Sequence, residues 1–346
     1  MNASRSEYRR YPSSQDTSLE LYARFTVPAE PRPLRVGMHG WHGQVKTPHD
    51  DNVREDGPSD WFWILPEMRG RGDATGVPDA NGWELQDVVD AVDFALREYG
   101  DRIATPESVF LTGGSGGGGN VLGLVGKFPD RFCAAVCECG ISDYGLWFEH
   151  DRVGEFRDEL EGKAWIGGSP ATNPEGYASR GGLTTLPNLL TPLLLVHGDS
   201  DLRCPVEQAR RYAAKAKPLG KKSLVTYLEL AGVGLEGHFG GITPAQVEQQ
   251  NRLKQDHLAR HTEPRRIPSR GRFVVTGYLK TREFEVVLDH IDRVGEVIYD
   301  LEKQTYHVRT NTVAGTATLN LLQEGRWISR HLTVERIASP PLIGPR

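Results

Sequence analysis

The chain has 346 residues, of which 38% are hydrophobic and 25% charged, and its formal net charge is −5. This composition predicts a soluble globular protein that is long enough for more than one domain, and the negative charge gives no reason to expect nucleic acid or an anionic membrane as a partner. Because neither a signal peptide nor an apolar run of transmembrane length is recognisable, we expect a cytoplasmic protein.

The first three quarters of the chain alternate predicted strands and helices. Residues 1–15 are polar and predict a loose N-terminal arm. The predicted strands are 19–25, 34–38, 60–66, 109–111, 133–139, 193–196 and 225–230. The predicted helices are 87–96, 120–127 and 244–259. This alternation predicts an α/β domain over residues 16–262 whose sheet is doubly wound and mostly parallel.

The predicted strand 34–38 ends in the loop His39-Gly40-Trp41-His42-Gly43. An early loop of this kind supplies one of the two backbone N–H groups that stabilise an oxyanion in acyl-transfer enzymes. Trp41 is therefore a candidate donor, and the alternative is a simple turn with aromatic packing. The second candidate donor is Gly116, which follows the serine described next.

Gly113-x-Ser115-x-Gly117 lies between a short apolar strand and a helix-like run. This is the context of a nucleophile elbow, in which a sharp turn exposes the serine hydroxyl and glycines remove clashing side chains. Ser115 is therefore the candidate nucleophile. A flexible Gly/Ser loop and a phosphate-binding turn are the alternatives, although no Lys-Ser or Lys-Thr pair follows as in a P-loop.

The four cysteines fit a reducing compartment, and three of them crowd one strand-like segment: Cys133, Cys137, Cys139 and Cys204. Partners for a tetrahedral zinc site are not recognisable at the required spacing. We therefore expect core packing and no metal or organic cofactor.

The alternating pattern breaks over residues 144–190, where aromatic residues stand among charges, Gly and Pro. We expect a cap-like insertion, with Trp147 and Phe148 as candidate substrate contacts. An elaborated surface excursion with a small core of its own is the equal alternative.

Two further candidate residues follow the last predicted strands of the domain. Asp201 and Asp199 both follow a buried strand, where catalytic groups of open α/β sheets lie; we assign the acid to Asp201 and turn capping to Asp199. His238 follows the next strand on a Gly-rich loop and is the candidate base. Structural hydrogen bonding is the expected role of His39 and His197.

Residues 263–271 predict a linker, and beyond it the hydrophobic period changes to two. Five short strands over residues 272–335 predict a small all-β, sandwich-like domain. Its expected role is to brace the first domain or to form a homo-oligomer, with carbohydrate binding as an alternative.

In chain order these motifs resemble the α/β-hydrolase superfamily, and within it the catalytic domain of the prolyl-oligopeptidase-like group and related bacterial esterases. The matching residues are His39-Gly40, Arg69-Gly70, Gly113-x-Ser115-x-Gly117, His197-Gly198-x-x-Asp201 and Gly237-His238. The resemblance covers about residues 15–262. It implies Ser115 as nucleophile, Asp201 as acid and His238 as base. The chain departs from the pattern at Trp41, where peptidases of the group usually continue with glycine.

We therefore expect a serine hydrolase that cleaves small-molecule carboxylic esters, of acylated sugars or aromatic acids, through an acyl-enzyme. One alternative is a prolyl-oligopeptidase-like peptidase or aminopeptidase, for which Glu149, Glu155 and Glu159 offer acids to a peptide terminus. The other is a binding protein that keeps a hydrolase scaffold without turnover.

Overall fold

The structure is a computed structural model that describes residues 3–47, 51–151, 154–162, 165–310 and 315–336. In these residues the chain forms two sheets, one of nine strands and one of eight. No helix in the described ranges is long and apolar enough to cross a membrane.

The nine-stranded sheet occupies the first part of the chain. Its strands are β1 (Ser4–Pro12), β2 (Glu20–Val27), β3 (Leu34–Met38), β4 (Val53–Asp56), β5 (Phe62–Pro66), β6 (Val109–Gly114), β7 (Phe132–Glu138), β8 (Leu193–Gly198) and β9 (Val225–Leu230). Their order in the sheet is β4-β1-β2-β5-β3-β6-β7-β8-β9. The six strands from β5 to β9 are parallel, and β1, β2 and β4 are antiparallel additions at one edge. The predicted mostly parallel α/β sheet is confirmed.

Helices cover both faces of this sheet. They are α1 (Glu84–Glu98), α2 (Gly116–Lys127), α3 (Tyr144–His150), α4 (Arg157–Glu161), α5 (Pro174–Arg180), α6 (Gly182–Thr185), α7 (Glu207–Ala216) and α8 (Pro244–Arg260). Helices α1, α2 and α7 share one core with Val36 and Leu111 of the sheet. Helix α8 places Leu258 against Phe110 and Val136 on the opposite face. The doubly wound architecture therefore has a core on each side of the sheet.

The N-terminal segment differs from the prediction of a loose arm. Residues of β1 pair with β2 from Arg5–Val27 to Pro12–Glu20, and with β4 on the other side. The polar composition does not indicate a buried strand. The strand forms because its buried polar side chains have partners inside the protein. Glu7, for example, accepts a hydrogen bond from the Tyr99 hydroxyl at 2.9 Å. Buried polar groups of this kind are stable once they are paired.

The insertion at 144–190 contains helices α3 to α6 and a hydrophobic cluster of its own. Its buried members include Trp147, Phe148, Phe156, Leu160 and Tyr177. The side chain of Trp41 packs against this cluster from the loop after β3. Ala80, Ile141 and Cys204 of the α/β domain are also buried in this cluster, so the insertion packs onto that domain. Whether it acts as a cap or is a surface excursion stays a prediction.

The C-terminal region is all β, as predicted. Its strands are β10 (Arg270–Thr276), β11 (Tyr278–Lys280), β12 (Phe284–Leu288), β13 (Val294–Asp300), β14 (Thr305–Thr310), β15 (Thr316–Gln323), β16 (Arg326–Thr333) and β17 (Glu335–Arg336). They form one sheet in the order β16-β15-β12-β11-β10-β13-β14-β17.

This second sheet curls around its own core. The rings of Phe284 on β12 and Tyr299 on β13 lie 5.1 Å apart, although two strands separate them in the sheet. In a flat sheet, strands three positions apart would be separated by about 14 Å. The curl encloses an apolar core that includes Val275, Val286 and Val297.

The curled sheet is fixed to the α/β domain by buried contacts. Tyr278 stacks on Trp83 with ring centroids 4.5 Å apart and donates a hydrogen bond to the Gly82 carbonyl at 3.1 Å. Asn188 exchanges two hydrogen bonds of 2.7 Å with the backbone of Val274. Contacts of this kind support the expectation that the C-terminal region braces the α/β domain.

Candidate active site

Ser115 lies at the end of β6, immediately before α2, with φ 56° and ψ −123°. Its amide donates to the Glu138 carbonyl at 2.9 Å, which ties the turn to β7. A Cβ at Gly113 would lie 2.4 Å from the Gly117 carbonyl oxygen, and one at Gly117 would lie 2.5 Å from the Met38 carbonyl oxygen. The turn therefore requires glycine on both sides of the serine, which is the geometry of a nucleophile elbow.

Asp201 and His238 meet above the ends of β8 and β9. The His238 Nδ1 atom lies 2.7 Å from Asp201 Oδ2. The other carboxylate oxygen accepts hydrogen bonds from the amides of Arg203 at 2.9 Å and Cys204 at 3.0 Å. Burial opposes ionisation of Asp201, but the bonds from His238 and these amides bring its pKa below the ordinary value. The carboxylate is thus ionised and oriented to hold the imidazole.

The loops that carry these two residues are in direct contact. A Cβ at Gly234, whose φ is 121°, would lie 2.4 Å from the Asp201 amide nitrogen. The Ser200 amide donates to the Val233 carbonyl at 3.0 Å. Asp199 accepts hydrogen bonds from the Gly232 amide and the Ser200 hydroxyl, both at 2.8 Å. Asp199 therefore holds the turn, and the imidazole of His238 faces Asp201.

His39 and His197 have structural partners. His39 donates from Nδ1 to the Gly40 carbonyl at 2.8 Å and accepts the Met68 amide on Nε2 at 3.3 Å. His197 Nε2 lies 2.9 Å from the Cys204 carbonyl oxygen. Burial lowers the pKa of both imidazoles, so both remain neutral and support the loops around them.

The two candidate oxyanion donors lie side by side. A Cβ at Gly116 would be 2.6 Å from the Trp41 amide nitrogen. The loop of Trp41 is closed by a hydrogen bond from the Gly43 amide to the Gly40 carbonyl at 2.9 Å. The backbones of the two residues thus form one wall beside Ser115, where an oxyanion would develop.

Two carboxylates hold this loop: Glu67, which sequence reasoning did not assign, and Glu159, which it named only as a candidate acid for a peptide terminus. Glu67 is buried and accepts the Val45 amide at 3.0 Å and the Lys46 amide at 3.2 Å. Glu159 of α4 accepts the indole N–H of Trp41 at 2.5 Å and lies 3.1 Å from His42 Nε2. A charged residue directly after a buried strand was the available signal for Glu67. No local pattern links Glu159 to Trp41.

The structure buries Trp147 and Phe148 and so gives no support to the expectation that they contact substrate. Trp147 is 1% exposed and Phe148 is 5% exposed. Trp147 packs edge-on against Trp41 at 4.9 Å and donates its indole N–H to the Arg203 carbonyl at 2.9 Å. Both residues belong to the aromatic cluster of the insertion, against which the Trp41 side chain packs.

The four cysteines are free and buried, as the core-packing interpretation predicts. The Ser115 side chain lies close enough to the Cys204 thiol to lower the pKa of that thiol in part. Burial raises the pKa of the Cys139 and Cys204 thiols, so both are neutral. Ser115 therefore has an uncharged thiol as a neighbour.

A cavity of about 400 Å³ lies beside the elbow. Its described lining includes Gly37, Leu65, Thr112, Gly114 and Glu138. The Glu138 carboxylate is paired with the Lys254 ammonium at 2.5 Å. Ser115, Asp201 and His238 are not among the described lining residues, so we do not place the reacting carbonyl in this cavity.

Comparison with known proteins gives consistent matches. The model of the prolyl oligopeptidase family matches residues 73–264, which include the elbow, Asp201 and His238. The chain is similar to the peptidase YuxL of Bacillus subtilis, with 33% identity over 154 residues that make up 42% of this chain and 21% of YuxL. It is also similar to the esterase LipC of Mycobacterium tuberculosis, with 23% identity over 235 residues that make up 62% of this chain and 56% of LipC.

Among solved structures, an acylaminoacyl peptidase from Pyrococcus horikoshii has a TM-score of 0.60 and 21% identity. The match covers 78% of this chain and 43% of the peptidase. The chain thus spans less than two thirds of each of these relatives. The structural likeness shows that the fold is that of an α/β-hydrolase.

Proposed function

Because the chain belongs to the prolyl oligopeptidase family and is a serine hydrolase of that family, we propose that it hydrolyses small carboxylic esters through an acyl-enzyme on Ser115. His238 acts as general base and Asp201 as the acid that orients it. The observation that carries this proposal is the 2.7 Å contact between His238 Nδ1 and Asp201 Oδ2, on loops next to a serine held in an elbow turn.

The proposed reaction is the acyl transfer of a serine triad. His238 takes the Ser115 proton while the serine oxygen attacks the ester carbonyl, and Asp201 stabilises the imidazolium that forms. The Trp41 and Gly116 amides bind the oxyanion of the tetrahedral intermediate. The imidazolium then protonates the leaving alcohol, and the intermediate collapses to the acyl-enzyme. A water molecule, deprotonated by the same imidazole, releases the acid and restores Ser115.

Similarity to the esterase LipC supports an ester substrate, because that match extends over 62% of the chain, whereas the match to YuxL extends over 42%. A peptidase is the second candidate function. It is favoured by the higher identity of 33% to the peptidase YuxL. The two candidates share every step above and differ in whether the leaving group is an alcohol or an amine.

A parallel hydrolysis screen of the wild type and Ser115→Ala tests both candidates. The substrates are short and medium p-nitrophenyl esters, acetylated and feruloylated sugars, and aminoacyl and prolyl amides. We expect wild-type turnover of esters that is lost in Ser115→Ala. Turnover of amides at comparable rates would establish the peptidase instead. Equal ester turnover by both proteins would overturn the proposed role of Ser115.

A further inference from the structure

Cys139 lies directly beside the Asp201–His238 pair. One potential ligand atom from each of these three residues (the Cys139 sulfur, a carboxylate oxygen and an imidazole nitrogen) lies within 4.8 Å of the others. Cys139 and Asp201 are buried, whereas the His238 side chain is 22% exposed. The ester mechanism uses the acid and the base but gives Cys139 no role.

The backbone fixes the position of this thiol. Cys139 follows β7 with a φ of 48°, in the left-handed region that few non-glycine residues adopt. Its amide donates to the Val196 carbonyl at 2.8 Å, and its sulfur lies 3.9 Å from the His238 carbonyl oxygen. The sulfur is therefore held against the loop of the candidate base.

We propose that Cys139, Asp201 and His238 form an inhibitory binding site for Zn²⁺. Thiolate, imidazole and carboxylate are the three donor types that zinc binds in proteins, and three protein ligands leave a fourth position for water. The thiol proton is released to solvent as the zinc–sulfur bond forms. Mg²⁺ prefers oxygen ligands and does not fit this donor set.

The spacing requires only a small movement. Ligand atoms around a tetrahedral zinc ion are separated by about 3.5 Å, given metal–ligand distances of about 2.0–2.3 Å. The Cys139 sulfur must therefore approach from at most 4.8 Å, whereas His238 Nδ1 and Asp201 Oδ2, which are 2.7 Å apart, must separate slightly if zinc binds both atoms. His238 can supply this movement because Gly234, Gly237 and Gly241 on its loop have positive φ.

Zinc at this position would stop ester hydrolysis whichever imidazole nitrogen it binds. One nitrogen of His238 must accept the Ser115 proton, and the other must donate to Asp201. Binding at either nitrogen removes one of these contacts, so the loss of activity rests on the proposed function above. The binding of zinc does not depend on that function.

The test is Zn²⁺ binding by the full-length chain, measured by competition with a chromogenic zinc chelator, together with Zn²⁺ inhibition of ester turnover. The variants are Cys139→Ser and the matched control Cys133→Ser, a buried cysteine of β7 that donates to the Val109 carbonyl of β6. Loss of one ligand should weaken Zn²⁺ binding and inhibition at least tenfold, on the order of the loss seen for supporting residues of metal sites. Cys133→Ser and Mg²⁺ should leave the wild-type behaviour unchanged.

Equal Zn²⁺ affinity of the wild type and Cys139→Ser would overturn the site, as would a loss of affinity in Cys133→Ser of the same size. The binding measurement is repeated on Ser115→Ala, which has no hydrolysis to inhibit. If Cys139-dependent binding persists there while the wild type hydrolyses no substrate, the zinc site stands and the hydrolase proposal fails. If the wild type hydrolyses esters but Zn²⁺ binding does not depend on Cys139, the hydrolase proposal stands and the zinc site fails.

Discussion

The loop that carries Asp201 and the loop that carries Trp41 are held in place in different ways. Asp201 is fixed by amides two and three residues further along the chain, those of Arg203 and Cys204. Trp41 depends on Glu159, which is 118 residues away, and its loop depends on Glu67. A residue that is held by neighbours in the sequence can be identified from a motif. A residue that is held by distant parts of the chain can be identified only from the three-dimensional structure.

Replacing the locally fixed acid should have the largest effect. Asp201→Asn keeps the shape of the side chain but removes the charge that orients the imidazole, so we expect kcat to fall about 10⁴-fold, as in other serine triads. Steady-state kinetics with an ester substrate measure this. The control is Asp199→Asn, which alters only the turn and should retain most of the activity. A smaller loss for Asp201→Asn than for Asp199→Asn would contradict the assignment.

Removing Glu67 should disturb the Trp41 loop next most strongly. Glu67→Ala leaves the half-buried amides of Val45 and Lys46 without their acceptor, which should cost about 1 kcal/mol of stability, the low end of the range for an unsatisfied donor. Displacement of the Trp41 donor should lower kcat by up to about 10²-fold. Urea unfolding and kinetics measure the two effects. Glu67→Gln keeps an acceptor oxygen and should recover part of the stability and part of kcat. If kcat is unchanged in Glu67→Ala, this carboxylate does not position the loop.

Glu84 lies between α2 and the loop of Trp41. It accepts the Asn120 side-chain amide of α2 at 3.1 Å and lines a small cavity together with Trp41 and Gly116. Burial, aided by the charge of Asp79, raises the pKa of Glu84 from 4.5 to about 7. Between these values the folded state holds a proton that the unfolded state has lost, so stability should fall as the pH rises through this window.

Urea unfolding at pH 4.5, 6 and 7.5 tests this pH dependence. Glu84→Gln should remove up to about 1.4 kcal/mol per pH unit of the slope. Glu149→Gln is an exposed-site control that should keep the wild-type slope. Parallel stability curves for the wild type and Glu84→Gln would show that Glu84 titrates normally.

Glu159 should give the smallest effect, because the aromatic cluster also supports Trp41. We expect Glu159→Ala to lower kcat about tenfold with little change in KM, since a loosened oxyanion donor loses less than a deleted one. Glu159→Gln keeps an acceptor for the indole N–H and should restore most of the rate. Glu155→Ala is the matched control, since Glu155 lies in the same segment and pairs with Arg203. If Glu155→Ala has the same effect, the contact with Trp41 is not the cause.

Much of the fold and site was predictable from local patterns. The buried parallel strands follow from continuous apolar runs, and the elbow follows from glycines that leave room for close backbone contacts. Asp201 and His238 follow from their places after strands, where side chains reach one edge of the sheet. In each case the physical constraint lies within a few residues of the motif.

Three features of the structure were not predicted, and two of them depend on contacts with distant parts of the chain. Trp147 and Phe148 stand among charges in the sequence, yet they pack against Trp41 and its neighbours in a buried cluster. The strand β1 can be polar because its buried side chains have partners, as Glu7 has in Tyr99. The third is β16, which is not among the five predicted strands. It pairs with the neighbouring β15, but it is mostly exposed and lacks the alternation that identifies a half-buried strand.

Covalent labelling tests the central claim, that Ser115 is the nucleophile, most directly. The full-length wild type is treated with a fluorophosphonate, and the modified residue is identified by intact-mass measurement and peptide mapping. We predict one phosphonyl group per chain, located on Ser115, and no labelling of Ser115→Ala. A label on another residue, or an unlabelled wild type that still hydrolyses esters, would contradict the account.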